Sequence, residues 1–134
     1  MSFQGDWLFN TDESEKHKAY QKMLQLKCIA AWYGPNTRGL LAKPSAGDRV
    51  FFYVDGKGII AKAHFTEEGP FKSNDIFGEA ERYEFHRRVV NLVEGGPLPF
   101  AFIRNKVGYS LPVKGLALKK IHASDAAAQI AELF

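Results

Sequence analysis

Residues 46–65, Ala46-Gly47-Asp48-Arg49-Val50-Phe51-Phe52-Tyr53-Val54-Asp55-Gly56-Lys57-Gly58-Ile59-Ile60-Ala61-Lys62-Ala63-His64-Phe65, read as a β-hairpin with its own turn signals. Ala46-Gly47-Asp48 is a turn that launches a strand over Arg49–Val54. Asp55-Gly56 between two apolar runs is a strong hairpin signal, because both residues accept the left-handed backbone of a tight turn. The partner strand is Ile59–Phe65. The aromatic triplet Phe51-Phe52-Tyr53 favours a strand, where wide rings pack on a pleated surface.

Working outward, Trp7-Leu8-Phe9 reads as a first strand. Asp12 to Lys27 reads as a helix: Thr11 or Asp12 caps it, Glu13 and Glu15 suit its positive end, and Tyr20, Met23 and Leu24 share a face. Cys28 to Tyr33 reads as a second strand, stopped by Gly34-Pro35, and Asn36 to Lys43 as a short turn or single helical turn. Beyond the hairpin, 66–80 is expected to be an irregular polar loop. Arg82–Val93 reads as a long strand whose apolar phase slips near Arg87-Arg88, where a bulge or edge is expected. Gly95-Gly96-Pro97 reads as a turn, and Phe100 to Ile103 as buried strand or short helix. Ser124 is expected to cap a closing helix that turns Ile130, Leu133 and Phe134 inward. Several short aromatic strands with helices mainly at the two ends imply an α/β (α+β) fold with a mixed or antiparallel sheet. A sheet this short and aromatic is expected to curl into a barrel, which removes its edges.

A chain of 134 residues suits one domain over 1–134. With 46% hydrophobic and 25% charged residues, a packed core is expected and wholesale disorder is not. The single cysteine, Cys28, excludes a disulfide framework within the chain and offers no zinc spacing. No basic-then-apolar start and no membrane-length apolar run is present, so a reducing cytoplasm is the expected compartment. The net charge of +3 is unevenly placed. Residues 64–85 hold six acids against Lys72 and Arg82, whereas 86–124 hold seven bases against Glu94 alone. Such a block gives a phosphate-attracting face if it folds onto one side.

Trp32 is the leading candidate for base contact, since an indole at a strand end is a wide stacking platform. Tyr33 is its neighbour, and strand alternation sends the two to opposite faces, so one of them lines a pocket. Asn10, with Thr11 beside it, and Asn36 are candidate readers of a base edge, because an amide offers donor and acceptor together; all three also suit turns. Arg38, Arg104, Asn105 and Lys106 are candidate phosphate contacts. No His-X-X-X-His or Cys pair exists, so no metal and no cofactor is expected. Cys28 with a histidine would make a nucleophile–base couple, but no sequence signature marks one, and Ser110 lacks a nucleophile elbow.

Four segments in order resemble the EVE domain and its relative the YTH domain of the PUA-like superfamily. They are Asp6-Trp7-Leu8-Phe9-Asn10-Thr11-Asp12-Glu13, Trp32-Tyr33-Gly34-Pro35-Asn36-Thr37-Arg38-Gly39-Leu40, the hairpin from Ala46 to Ala63, and Leu111-Pro112-Val113-Lys114-Gly115 with the closing helix. Asn10-Thr11 stands where the family has Lys-Ser, Ala61 where a glycine is usual, and His64 where an acid is common. The resemblance implies a PUA-like curled sheet and recognition of a modified base, a modified cytosine or a methyladenine, in DNA or RNA. It implies that Trp32 is a cage tryptophan and that Phe77, with Phe71 behind it, falls where a second cage aromatic belongs. A module this small often works beside an effector such as a nuclease. The rival readings are an ASCH-like enzyme acting on a nucleoside and a small-ligand or protein-interaction module.

Overall fold

The computed structural model describes residues 5–11, 19–32, 36–73, 84–112 and 117–134, with backbone alone at Ala19, Trp32 and Ser73. Its first two helices and first five strands, in chain order, are β1 (Asp6–Asn10), α1 (Ala19–Leu26), β2 (Cys28–Trp32), α2 (Thr37–Ala42), β3 (Arg49–Val54), β4 (Gly58–Phe65) and β5 (Phe71–Ser73). Then follow β6 (Glu84–Leu98), α3 (Phe100–Val107), β7 (Leu118–Ile121) and α4 (Ser124–Ala131).

The hairpin forms as read, with β3 and β4 antiparallel from Arg49↔His64 to Val54↔Gly58. Gly58 has φ +116°, and a Cβ there would collide with the Leu98 carbonyl, so this position takes glycine. β1 lies parallel to β3, and every other pairing is antiparallel. The order β2-β6-β4-β3-β1-β7, with β5 also on β6, is a mixed sheet. β6, β4 and β3 separate β1 from β2. Yet Trp7 and Phe9 share one buried cluster with Cys28, Ile29 and Ala30, so the sheet curls around that core. α1 adds Met23 to it and α2 adds Leu41. The opposite face packs Leu8, Phe51 and Tyr53 against Ile103 of α3 and Ala127 and Ile130 of α4. Period-two alternation thus feeds two apolar cores rather than one core and solvent, which explains the aromatic density of the strands.

Several sequence expectations change. The 66–80 stretch contains β5, which adds to β6 through Phe71↔His86, Lys72↔Phe85 and Ser73↔Glu84. β6 begins within the expected strand but runs on to Leu98, absorbing the Gly95-Gly96-Pro97 turn as an irregularity opposite Ile59 and Ala61. Arg87 and Arg88 pair regularly with Ile29 and Cys28. The phase slip arises there because Glu84 to Arg87 are buried in succession, and the bulge sits farther on, beside Asn91 at φ 56°. Of the two readings open for Phe100 to Ile103, the helix holds, with Ile103 its buried residue; Pro99 precedes it, and Gly108 ends it at φ 79°, donating its N–H to the Arg104 carbonyl. Ala123, not Ser124, occupies the N-cap of α4, with no side-chain cap. The start of the first expected helix lies outside the described residues.

Arg87 is 5% exposed and sits at the seam of this architecture. Its Nη1 donates to the carbonyls of Leu41 and Pro44 at 2.8 Å each, and Nε and Nη2 donate to the Thr66 carbonyl at 3.1 and 2.8 Å. The guanidinium also lies 5.1 Å from the centre of the Phe65 ring. Burial holds its pKa below the ordinary arginine range, and the Asp48 carboxylate partly restores it. Arg87→Met is expected to lower stability by about 2–4 kcal/mol, because it strands buried carbonyls. Urea unfolding checks this, and a loss under about 1 kcal/mol would mean that the carbonyls find other donors.

At the start of β1, Asp6, Arg49 and His64 form a cross-strand row, with Arg49 Nε 2.7 Å from Asp6 Oδ1. His64 Nδ1 is buried without a hydrogen-bond partner. Burial, then Arg49 and Lys62, hold its pKa below the ordinary 6.5, against the pull of Asp6. Its contribution to stability is therefore present above pH 6.5 and lost as pH falls below that value, where the unfolded chain takes the proton more readily. The urea midpoint is expected to drop between pH about 7.5 and about 5.5, and to drop less in His64→Gln; equal slopes would remove His64 as the cause.

Candidate functional site

Three strand ends meet at one place. Glu84, the first residue of β6, is the register partner of Trp32, the last residue of β2, and of Ser73, the last residue of β5. Phe77 and Tyr33 lie outside the described residues. The described flanks of their segments, Ser73 and Glu84 for one and Trp32 for the other, nevertheless share this strand end. The backbone thus brings the Trp32 position together with Ser73 and Glu84, the described residues on either side of the segment that holds Phe77, at one strand end, the candidate mouth.

Beneath the mouth lies a buried polar chain. His86 Nε2 is 2.6 Å from Glu84 Oε2, and His86 Nδ1 is 3.8 Å from Cys28 Sγ. Glu84 is 0%, His86 3% and Cys28 2% exposed, so an acid, an imidazole and a thiol are all withdrawn from water. The spacing explains the meeting. Glu84 and His86 are two apart on a strand and share a face, while Cys28 and Ala30 stand across from Arg88 and His86 on the same face. A Glu-X-His pair inside a strand pattern was the available signal for this cluster; Glu84 was counted instead among the six acids of residues 64–85. In the neutral tautomer that donates Nε2–H to the carboxylate, Nδ1 is the acceptor facing the thiol.

Phe71 of β5 lies over the His86 ring, with centroids 5.5 Å apart at 60°, and remains 36% exposed. The Arg88 guanidinium is 5.6 Å from the centre of the Phe71 ring, and its Nε is 3.0 Å from Glu68 Oε2 in an exposed pair. An exposed ring carrying a cation, next to the mouth, suits stacking and charge contact together.

The remaining candidates are spread more widely. Asn10 is half-buried at the end of β1, with its N–H on the Ala117 carbonyl. Thr11 donates its N–H to the Tyr53 carbonyl, while its hydroxyl is buried with no partner. Asn36 is exposed before α2 and makes no side-chain cap, and Arg38 is exposed in the first turn of α2. α2 follows β2 closely and is held by Arg87, so these two stay tied to the Trp32 strand. Arg104, Asn105 and Lys106 are exposed on α3, which packs on the opposite face of the sheet from the Cys28 core. There Lys106 lines a groove of about 240 Å³ with Val107, Gln129, Glu132 and Leu133. Among the described residues no group of three His, Cys, Asp or Glu side chains is placed to hold a metal ion. Among them also, no helix is long and apolar enough to cross a membrane.

No family model matches the chain, and no curated protein matches it in sequence. Solved structures do. An ASCH domain from Zymomonas mobilis is similar at TM-score 0.59 and 10% identity, covering 96% of this chain and 95% of that one. The YTH domain of Zygosaccharomyces rouxii MRB1, solved with N6-methyladenosine RNA, is similar at TM-score 0.61 and 14% identity, covering 100% and 86%. A Pseudomonas syringae protein is similar at TM-score 0.56 and 16% identity, covering 96% and 99%. At these identities the likeness is one of fold, and the curled mixed sheet with its four described helices is a PUA-like fold.

Glu84→Gln keeps the shape of the buried chain but removes the charge from its shortest contact. Stability is expected to fall by about 1.5–3 kcal/mol, with the His86 ring nitrogens shifting in NMR spectra. An unchanged spectrum and stability would show that the contact does not set the tautomer.

Proposed function

We propose that this chain, as one domain over 1–134, is an EVE/YTH-like nucleic-acid-binding module. It takes a single modified base, a modified cytosine or a methyladenine, into the mouth at the ends of β2, β5 and β6. The observation that carries this reading is the convergence of Trp32 with the two flanks of the Phe77 segment, beside the exposed Phe71 and its Arg88 cation. In this reading Trp32 and Phe77 stack on the base, with Tyr33 at the rim. Asn10, Thr11 and Asn36 read its edges; the unpartnered Thr11 hydroxyl supports a polar contact made only when a ligand is present. Phe71 stacks on the neighbouring base of the strand, and Arg88 and Arg38 meet phosphates near the mouth. Arg104, Asn105 and Lys106 contact phosphate only where the strand passes over to the α3 face.

The solved YTH domain similar to this chain holds N6-methyladenosine RNA, which supports a nucleic-acid partner for the shared fold. Lifting one base from its stack is how a protein reaches an atom hidden in a duplex or strand. The single thiol fits a reducing cytoplasm, and an effector such as a nuclease would act on what the module selects.

The test is binding to short DNA and RNA strands carrying unmodified bases, methyladenine, methylcytosine or hydroxymethylcytosine. One modified strand is expected to bind selectively, with Trp32→Ala abolishing the selectivity. Phe71→Ala is expected to weaken every strand by about 1–3 kcal/mol, the range for loss of one stacked base. Arg88→Ala is expected to reduce the slope of log affinity against log salt by about 0.7. Absence of binding to all strands, or a salt-independent affinity, would overturn the reading.

A further inference from the structure

The buried chain under the mouth has the order thiol, imidazole, carboxylate. A cysteine kept for packing behaves as a small apolar side chain and asks for apolar neighbours. Cys28 has such neighbours in the cluster with Trp7, Phe9 and Ile29, but its sulfur also meets a ring nitrogen at 3.8 Å, and the other ring nitrogen is held at 2.6 Å by a carboxylate that is fully buried. Burying an acid and an imidazole side by side is costly, and apolar residues fill such space more cheaply. The arrangement has a chemical consequence. Moving the thiol proton to Nδ1 converts a neutral pair into thiolate and imidazolium, and the Glu84 charge stabilises the imidazolium. The total charge of the unit is the same before and after, so burial opposes this transfer far less than it opposes ionisation of an isolated thiol. On one side the His86 ring is met by Phe71, which is itself 36% exposed, on a strand of three residues.

We propose that Cys28 is the nucleophile of an acyl-transfer site, with His86 as its base and Glu84 as the residue that positions His86. The substrate class is a small ester whose acyl carbon enters past Phe71. The Cys28 thiolate attacks the acyl carbon, the ester C–O bond breaks, and the departing alkoxide takes the proton held on His86, leaving a thioester on sulfur. Water then gives a proton to His86 as its oxygen attacks the thioester. The C–S bond breaks, sulfur leaves as thiol with that proton, and the acid is released. This proposal does not rest on base binding, so either can fail alone.

The test uses the whole chain and p-nitrophenyl acetate as probe. About one nitrophenolate per protein is expected in a burst, with one acetyl group on Cys28 by peptide mass spectrometry. Cys28→Ala is expected to abolish both, and His86→Gln to slow acetylation by about a hundredfold. In Glu84→Gln the pH midpoint of acetylation is expected to move toward about 8.5, the value of an ordinary thiol. Iodoacetamide alkylation of the native sequence, with folding followed by circular dichroism, gives an independent measure should a variant fail to fold. Alkylation of the folded protein with a midpoint well below about 8.5 supports the proposal. A Cys28 that neither acetylates nor alkylates until the protein unfolds would overturn it. So would one that reacts with an ordinary thiol's midpoint, or equally fast without the His86 imidazole.

Discussion

A single buried cation holds the parts of this fold that matter for its mouth in register. Arg87 projects from β6 and donates to carbonyls from the end of α2, the Pro44 turn and the residue after β4. None of those carbonyls belongs to a ladder that would otherwise satisfy it at that point, and the guanidinium has five donors in a rigid fork to offer them. The segment from Trp32 to Asn36 runs between β2, which pairs with β6, and α2, which Arg87 pins to β6. Both ends of that segment are therefore referenced to the same strand. The position of this strand end is tied to the chemistry of one side chain, one residue from His86 and three from Glu84.

The first four residues of β6 carry this load on both faces. Glu84 and His86 share one face, Phe85 and Arg87 the other, and all four are buried. Three are ionisable, and each has a partner: carboxylate on imidazole, imidazole on thiol, guanidinium on carbonyls. From Val90 onward the strand is largely exposed. β6 is thus a polar anchor at its beginning and an ordinary ladder strand afterwards. The bulge beside Asn91 marks the change, since an extra residue there breaks the ladder with β4 between Val90 and Val93.

This division explains what the sequence discloses and what it conceals. The hairpin was legible because its turn chemistry is local: Asp55-Gly56 and the runs beside it need no distant partner. The curl was legible because a sheet this short and aromatic is expected to close on itself and remove its edges. Glu84, His86 and Arg87 were not. Charged residues in succession read as surface, and burial of each depends on partners far away in the chain: Cys28, Leu41, Pro44 and Thr66. β5 was concealed for a related reason, because Phe71-Lys72-Ser73 is too short to show alternation and gains its strand geometry only from β6. Among the site candidates, the pairing of Trp32 with Phe77 came from a family resemblance, and Phe77 lies outside the described residues; the register places Trp32 only against Glu84, which Ser73 also pairs. The basic block of 86–124 did not become one patch: Arg87 is interior, Arg88 stands at the mouth, and Arg104 and Lys106 ride on α3 across the sheet.

Phe71 ties the two proposed activities together by geometry. Its ring contacts the His86 ring, meets the Arg88 guanidinium and is partly open to solvent. A base stacked on the outer face would hold the ring down on the imidazole and close the approach to Cys28. An ester reaching Cys28 needs the ring displaced, which removes the stacking platform. Binding and acyl transfer would then compete through one side chain without sharing a ligand. By linkage, base binding and ester binding would each weaken the other by the same factor at equilibrium.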